Sequence, residues 1–471
     1  MHQGASSPAL RASSPPFRME ERDGERRRNP RKENAATNLA IDAIDMADNH
    51  RNLALLGGTP ARTRPFPSWP IFGKPEEQRL LRSLRSGKWG RLDGPEVARF
   101  EKRFASMHGC NHGIAVVNGT VSLRLALIAA GIRAGEEVIV PAYTFFSTAS
   151  AVIEANAVPV FVDIDPDTFN LDPAAVKAAV TPRTRAILPV HFAGQPAEMD
   201  AIMAIAKKHK LIVIEDAAHA HGASYKKSPA GSIGHMGSFS FQSSKNLTAG
   251  EGGILVTHDD ALAETCRSLQ NCGRVPGGLW YEHHRISGNY RLGEFQGAVL
   301  DAQLDRLSAQ TQTRDRNGQY LASLLEGIPG LHPQKRSAAC TRHSYHLFML
   351  RLDRQQFGVV RTAVLAALEA EGIPCSAGYG FSLHHQPMFQ KKAFGPYLSG
   401  ISKKLDYSKT HCPVSDLICH EQGIWLGQSM LLGARSDMED IARAFKKIFE
   451  NRESLNRWSR KRPGKSPRKP L

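Results

Sequence analysis

Ser238-Phe239-Ser240-Phe241-Gln242-Ser243-Ser244-Lys245-Asn246-Leu247-Thr248-Ala249-Gly250-Glu251-Gly252-Gly253 alternates polar and apolar residues for one short strand, then delivers a single lysine into a polar turn punctuated by glycines. Alternation of that period puts every second side chain on one face of a sheet. Taken alone, a lysine is most often solvated surface. About thirty residues upstream, Leu211-Ile212-Val213-Ile214-Glu215-Asp216-Ala217-Ala218-His219 reads as an apolar strand with an acid at its C-terminal end, the edge where open α/β sheets bind ligands. An amine and a carboxylate at one sheet edge match the needs of pyridoxal phosphate: Lys245 for a Schiff base and Asp216 to hold the pyridine nitrogen protonated.

Further motifs fall in order along the chain: Leu55-Leu56-Gly57-Gly58-Thr59-Pro60, Ser86-Gly87-Lys88-Trp89-Gly90, Asn118-Gly119-Thr120, Pro141-Ala142-Tyr143-Thr144-Phe145 and Glu215-Asp216-Ala217-Ala218-His219-Ala220-His221-Gly222. With the lysine loop, they resemble the DegT/DnrJ/EryC1/StrS family of pyridoxal-phosphate aminotransferases, which act on keto-sugars and keto-cyclitols. The resemblance runs from about Leu53 to about Lys447. The opening segment and Gly372-Ile373-Pro374-Cys375-Ser376-Ala377-Gly378-Tyr379 look most like the branch with scyllo-inosose aminotransferases and aminohydroxybenzoate synthases.

Composition and charge narrow the remaining classes. The formal net charge is +16, which raises nucleic acid as a partner. Residues 451–471 hold eight Lys or Arg against one Glu, and residues 1–52 hold nine basic against eight acidic side chains. The basic end therefore reads as a solvated extension. Seven cysteines without a CxxC pair argue against a complete disulfide framework and suit a reducing cytoplasm. No apolar run approaches the roughly 18 residues of a membrane span. The Ser-, Pro-, Arg- and Asn-rich first 50 residues read as disordered, or as an over-extended start upstream of Met19 or Met46.

Short apolar runs at 114–117, 138–140, 158–164, 186–190, 211–214, 238–241 and 254–257 predict seven strands, with helices at 122–130, 173–180 and 198–209 between several of them. That alternation predicts an α/β fold with a mainly parallel sheet flanked by helices. Only about a dozen residues join the last two strands, too few for an easy helical crossover, so the strand at 254–257 is expected antiparallel. Beyond it, a strand at 344–352 and helices near 361–371 and 438–451 suggest a smaller C-terminal α/β domain. The resemblance implies the fold-type I architecture of pyridoxal-phosphate transferases. The expected organisation is a disordered extension over 1–52, a large cofactor-binding domain with its N-terminal arm over 53–310, a small domain over 311–450 and a disordered basic tail over 451–471.

Gly119 and Thr120 lie between a strand and a helix, where backbone amides can bind a phosphate. The resemblance implies the same role for Ser240, a ring-stacking role for Phe145, and a cofactor contact at His219, where many relatives carry glutamine. It also implies that Asn289 reaches the cofactor phosphate of the neighbouring subunit, and hence a homodimer with shared sites. The resemblance also implies His384 as a substrate contact, and Tyr143, Trp89 and Tyr379 are candidate wall residues of the substrate pocket. Before His384, Gly380-Phe381-Ser382 departs from the aromatic-proline pattern common in the family. His219 and His221 form an HxH pair without a third ligand, and no metal is expected.

The leading expectation is transamination of a keto-sugar or keto-cyclitol from glutamate or glutamine, by a cytoplasmic enzyme with Lys245 and Asp216 as catalytic groups. Two alternatives stand beside it: a non-catalytic regulatory pyridoxal-phosphate protein whose basic tail binds nucleic acid, and a dehydratase of the same family. Lys245 excludes the dehydratases that carry histidine in its place.

Overall fold

The strand that carries Asp216 sits in the middle of a seven-stranded sheet, with apolar residues packed on both of its faces. The computed structural model describes residues 52–461, so the expectations for 1–51 and 462–471 lie outside the described residues. In chain order the sheet uses β1 (His112–Val116), β2 (Glu137–Pro141), β3 (Val158–Val162), β4 (Thr184–Ile187), β5 (Ile212–Asp216), β6 (Met236–Ser240) and β7 (Gly253–Thr257). Their spatial order is β1-β7-β6-β5-β4-β2-β3. All seven expected strands are present. β7 runs antiparallel to both of its neighbours, β1 and β6, while β2–β3, β2–β4, β4–β5 and β5–β6 pair in parallel. The short β6–β7 connection thus has the effect expected of it, because a parallel return needs a long crossover.

Period-two alternation along these strands feeds two helical layers. Val138, Val140 and Ile214 pack in one cluster with Leu123, Leu127 and Val152, which lie on α1 (Gly119–Ala129) and α2 (Ser147–Glu154). The intervening Ile139 and Val213 pack with Met199, Ile202 and Ala206 of α3 (Met199–His209). Burial on both faces makes these strands read as apolar runs. α1 begins before the expected start at residue 122 because the Asn118 side chain accepts the Val121 amide at 2.9 Å, a cap that draws Gly119 and Thr120 into the first turn.

A second, antiparallel sheet is built from β8 (Leu331–Pro333), β9 (Leu347–Leu352) and β10 (Gly423–Gly427). The boundary expected at 310/311 falls inside α4, a 32-residue helix over Glu294–Leu325. Leu300, Leu304 and Leu307 join the core beside the large sheet, whereas Leu321 and Leu325 join the core of the second. One continuous helix connects the two cores, with no linker between them. Around the second sheet lie α5 (Arg361–Ala370), α6 (Arg435–Glu450) and α7 (Arg452–Arg460). α7 occupies residues expected to begin a disordered tail. Its Leu455 is fully buried in the second core and Trp458 packs against it, two apolar anchors that a charge-rich sequence conceals. No helix of the described residues is long and apolar enough to cross a membrane.

Candidate active site

β5 ends on two acids whose side chains leave opposite faces of the sheet. Glu215 is fully buried. Its carboxylate accepts the His191 Nε2 proton at 2.7 Å and the amides of Gly231, Ile233 and Gly234 at 2.7, 2.7 and 2.6 Å. Burial alone would push this carboxyl up, but the His191 hydrogen bond and the backbone amides outweigh it and hold it below the ordinary range. Glu215 is therefore spent on fixing the 231–234 turn. Asp216 is left for chemistry.

Asp216 accepts the Thr148 hydroxyl at 2.8 Å and the Ala218 amide at 3.2 Å. Burial raises its pKa, opposed by the Thr148 and Ala218 hydrogen bonds and then by the charge of Lys245. Lys245 is partly exposed as a residue, yet desolvation of its amine dominates and lowers it to about 8, with the Asp216 charge acting the other way. A pKa near 8 keeps a useful fraction of the amine neutral near pH 7. The lysine loop is clamped by its neighbours. Asn246 donates to the Ser344 carbonyl at 2.8 Å, and Trp69 Nε1 donates to the Ser243 carbonyl at 3.0 Å.

Gly119 and Thr120 occupy the first two positions of α1, whose amides have no partner within the helix and carry its positive end. Ser240, at the end of β6, lies directly against them: a Cβ on Gly119 would stand 2.7 Å from the Ser240 Cβ. The Thr120 hydroxyl pairs with the Ser147 hydroxyl at 2.6 Å. Three hydroxyls and two helix-terminal amides thus converge from three elements. That cradle suits a phosphate. Gly119→Ala is accordingly expected to weaken cofactor retention at least about tenfold and to cost roughly 1–3 kcal/mol through the forced shift, measured by cofactor titration and thermal unfolding.

Phe145 precedes α2 and is 57% exposed, and the same turn carries Thr148, so one segment sets both the aromatic ring and the Asp216 hydrogen bond. His219 is buried, with its ring 4.2 Å from that of His346 and its Nδ1 without a partner. Burial, followed by the Lys245 charge, pushes His219 well down, so it is neutral. His221 is buried between the Phe239 and Phe241 rings, and burial followed by the Lys245 charge lowers it to about 3. Neither imidazole of the pair is held by a carboxylate. The buried, unmet Nδ1 of His219 and the hydroxyl-and-amide cradle both fit pyridoxal phosphate. Lys245, Asp216, Phe145 and His219 would surround its ring, with Gly119, Thr120 and Ser240 at its phosphate.

Tyr143 is buried in an aromatic group with Phe192 and Tyr379, at ring distances of 4.9 and 5.3 Å, and its hydroxyl accepts the Trp425 Nε1 proton at 3.0 Å. Tyr379 feels the charge of Asp216, although burial is the main cause that raises its pKa. Trp89 stands elsewhere, half-exposed against Phe295. Asn289 is exposed, and its side chain accepts the Arg291 amide at 3.3 Å. His384 is fully buried, near Phe161, His385 and Asp416. Reading the sequence missed Thr148, Ser147 and His346. A hydroxyl eight residues or fewer from a motif is a weak signal, and His346 meets His219 across 127 residues of chain, which no local pattern encodes.

The DegT/DnrJ/EryC1/StrS aminotransferase family matches residues 71–428 of the chain. L-glutamine:2-deoxy-scyllo-inosose aminotransferase of Streptoalloteichus tenebrarius is 40% identical over 422 residues, covering 86% of this chain and 99% of that enzyme. 3-amino-5-hydroxybenzoate synthase of Amycolatopsis mediterranei is 39% identical over 388 residues, 81% of this chain and 97% of that enzyme. Among solved structures, 3-amino-5-hydroxybenzoic acid synthase superposes with a TM-score of 0.74 at 37% identity, over 83% of this chain and 100% of that one.

Proposed function

The chain belongs to the DegT/DnrJ/EryC1/StrS aminotransferase family, and from that premise we propose that it transfers the amino group of L-glutamine to the ketone of a scyllo-inosose-type cyclitol. It is an enzyme that uses pyridoxal phosphate, and it aminates a keto-sugar or keto-cyclitol. The observation that carries the narrower reading is the 40% identity spread over 99% of a glutamine-dependent inosose aminotransferase, in a chain that sets Lys245 and Asp216 within electrostatic reach of each other.

When bound, the cofactor supplies an electron sink for the carbon that loses or gains a proton. The chain's own groups do the rest. Lys245 Nζ takes the proton from the donor Cα and later delivers one to the acceptor carbon that becomes amine-bearing, a task suited to an amine lowered to about 8. Asp216, oriented by Thr148 and Ala218, presents a carboxylate to the ring nitrogen. Phe145 would cover the ring, and the partly exposed Tyr379 and Trp425, braced by the buried Tyr143, would offer a wall to a polyol.

The assay supplies holoenzyme with L-glutamine and 2-deoxy-scyllo-inosose and follows the amino product by mass spectrometry. Formation of the amine is expected. Consumption of glutamine without amination of any inosose would refute the acceptor, failure to consume glutamine while glutamate is consumed would refute the donor, and water loss from a keto-sugar without a donor would favour the dehydratase reading.

The working unit is a homodimer in the cytoplasm. Exposed Leu279, Trp280, Tyr281 and Ile286 precede the exposed Asn289 on one loop, an apolar run that an isolated chain seldom leaves in water, and all seven cysteines are free. Mixed dimers of Lys245→Ala and Asn289→Ala subunits can place both lesions in one site and leave the other whole. Each mixed dimer should keep about half of the activity of a native pair, and a randomly assembled equimolar mixture, half of it mixed dimers, about a quarter. No recovery despite demonstrated subunit exchange would put Asn289 in its own subunit's site or in none.

A further inference from the structure

We propose that His384, His385 and Asp416 form a binding site for a divalent transition-metal cation of the zinc type, apart from the lysine site. His384 and His385 lie on the short turn Leu383–His385, and Asp416 lies on the short helix Pro413–Leu417. One ligand atom from each falls within 4.8 Å of the others, the one such cluster of His, Cys, Asp and Glu among the described residues.

The His384 separation fits an ion better than a hydrogen bond, whereas the His385 ring hydrogen-bonds Asp416 at a distance that also suits two ligands of one ion. His384 Nε2 stands 3.6 Å from Asp416 Oδ1, and His385 Nε2 stands 3.3 Å from Asp416 Oδ2. The first is too long for a hydrogen bond. Ligands about 2.0–2.2 Å from a tetrahedral zinc ion sit roughly 3.4 Å from one another, so both distances match edges of such a coordination shell.

His384 adds an independent reason. It is fully buried, and neither ring nitrogen has a hydrogen-bond partner, a state that buried polar groups seldom keep. A cation at Nε2 would satisfy one nitrogen outright. The Ser382 hydroxyl donates to Asp416 Oδ1, which orients the carboxylate as groups behind metal ligands do. His385 and Asp416 have side chains 41% and 27% exposed, leaving an entry path and a coordination position for water. Two imidazoles and one carboxylate suit zinc over magnesium or calcium, which prefer all-oxygen shells.

The ion would reinforce the junction that the Ser382 and His385 hydrogen bonds to Asp416 already make between the two segments. Leu383 N donates to the Ala142 carbonyl at 2.8 Å, next to Tyr143, so the reinforced junction would brace the end of β2 and the wall of the acceptor pocket.

The test uses untagged, full-length holoenzyme, stripped with chelator and titrated with zinc chloride by calorimetry, with cobalt(II) as an optical probe. One equivalent per chain is expected, with cobalt spectra of a tetrahedral nitrogen-oxygen site. His385→Ala and Asp416→Ala, both at partly exposed positions, should each weaken binding at least about tenfold. Absence of saturable binding, unchanged affinity in both variants, or an intense thiolate-to-cobalt band showing that cysteines hold the metal would each overturn the proposal.

Discussion

Lys245→Ala is expected to lower transamination at least about 10⁴-fold, because one side chain supplies both the covalent anchor for the cofactor and the proton carrier for each half-reaction. The fold should survive. The loop that holds Lys245 is fixed by Asn246 to Ser344 and by Trp69 to Ser243, and none of these contacts uses the lysine side chain. The phosphate cradle at Gly119, Thr120 and Ser240 is likewise intact in the variant, so cofactor should still bind, without the covalent link. Borohydride reduction of the wild-type holoenzyme followed by peptide mapping should leave the cofactor on Lys245. An adduct on any other lysine, or residual turnover within about tenfold of wild type, would remove Lys245 from its assigned role. The pH dependence of loading adds a sign. The amine must be neutral to react, so the rate at which cofactor-free chain acquires borohydride-fixable cofactor should rise with pH up to about 8 and then level off.

Asp216→Asn should cost roughly 10²–10³-fold in each half-reaction, the scale of removing one preorganised electrostatic group. The amide fills the same space, and its oxygen can accept the Ala218 amide while its NH2 donates to the Thr148 hydroxyl, but it carries no charge for the ring nitrogen. Cofactor binding should change far less than turnover, which separates this loss from a collapsed site. Near-normal half-reaction rates would refute the role. Thr148 offers a finer test. Its hydrogen bond favours the ionised form of a carboxyl that burial pushes up, so Thr148→Val should raise the Asp216 pKa further and move the acid limb of the rate profile to higher pH. Thr148→Ser should restore it.

The seven-stranded sheet was legible in the sequence, and so were Lys245 and Asp216 as the candidate catalytic pair. Each of the seven strands is a short apolar run between turn residues, and the antiparallel direction of β7 follows from a connection too short for a crossover. Lys245 and Asp216 were legible as candidates because Asp216 ends β5 and Lys245 lies in the turn that follows β6, both local properties. Only the tertiary structure showed what Glu215 does, since His191 and the 231–234 turn reach it from distant segments. It alone placed Thr148 on Asp216 and Ser147 on Thr120, ran α4 through the expected domain boundary, and buried Leu455 of α7 in the second core. It also set His384 and His385 beside Asp416, 31 or more residues along the chain. The physical reason is common to all of these. Strand and turn patterns record a residue's burial and its neighbours within a few positions, whereas a hydrogen bond or ligand set between remote segments depends on crossing geometry, and one chain's periodicity does not encode that geometry.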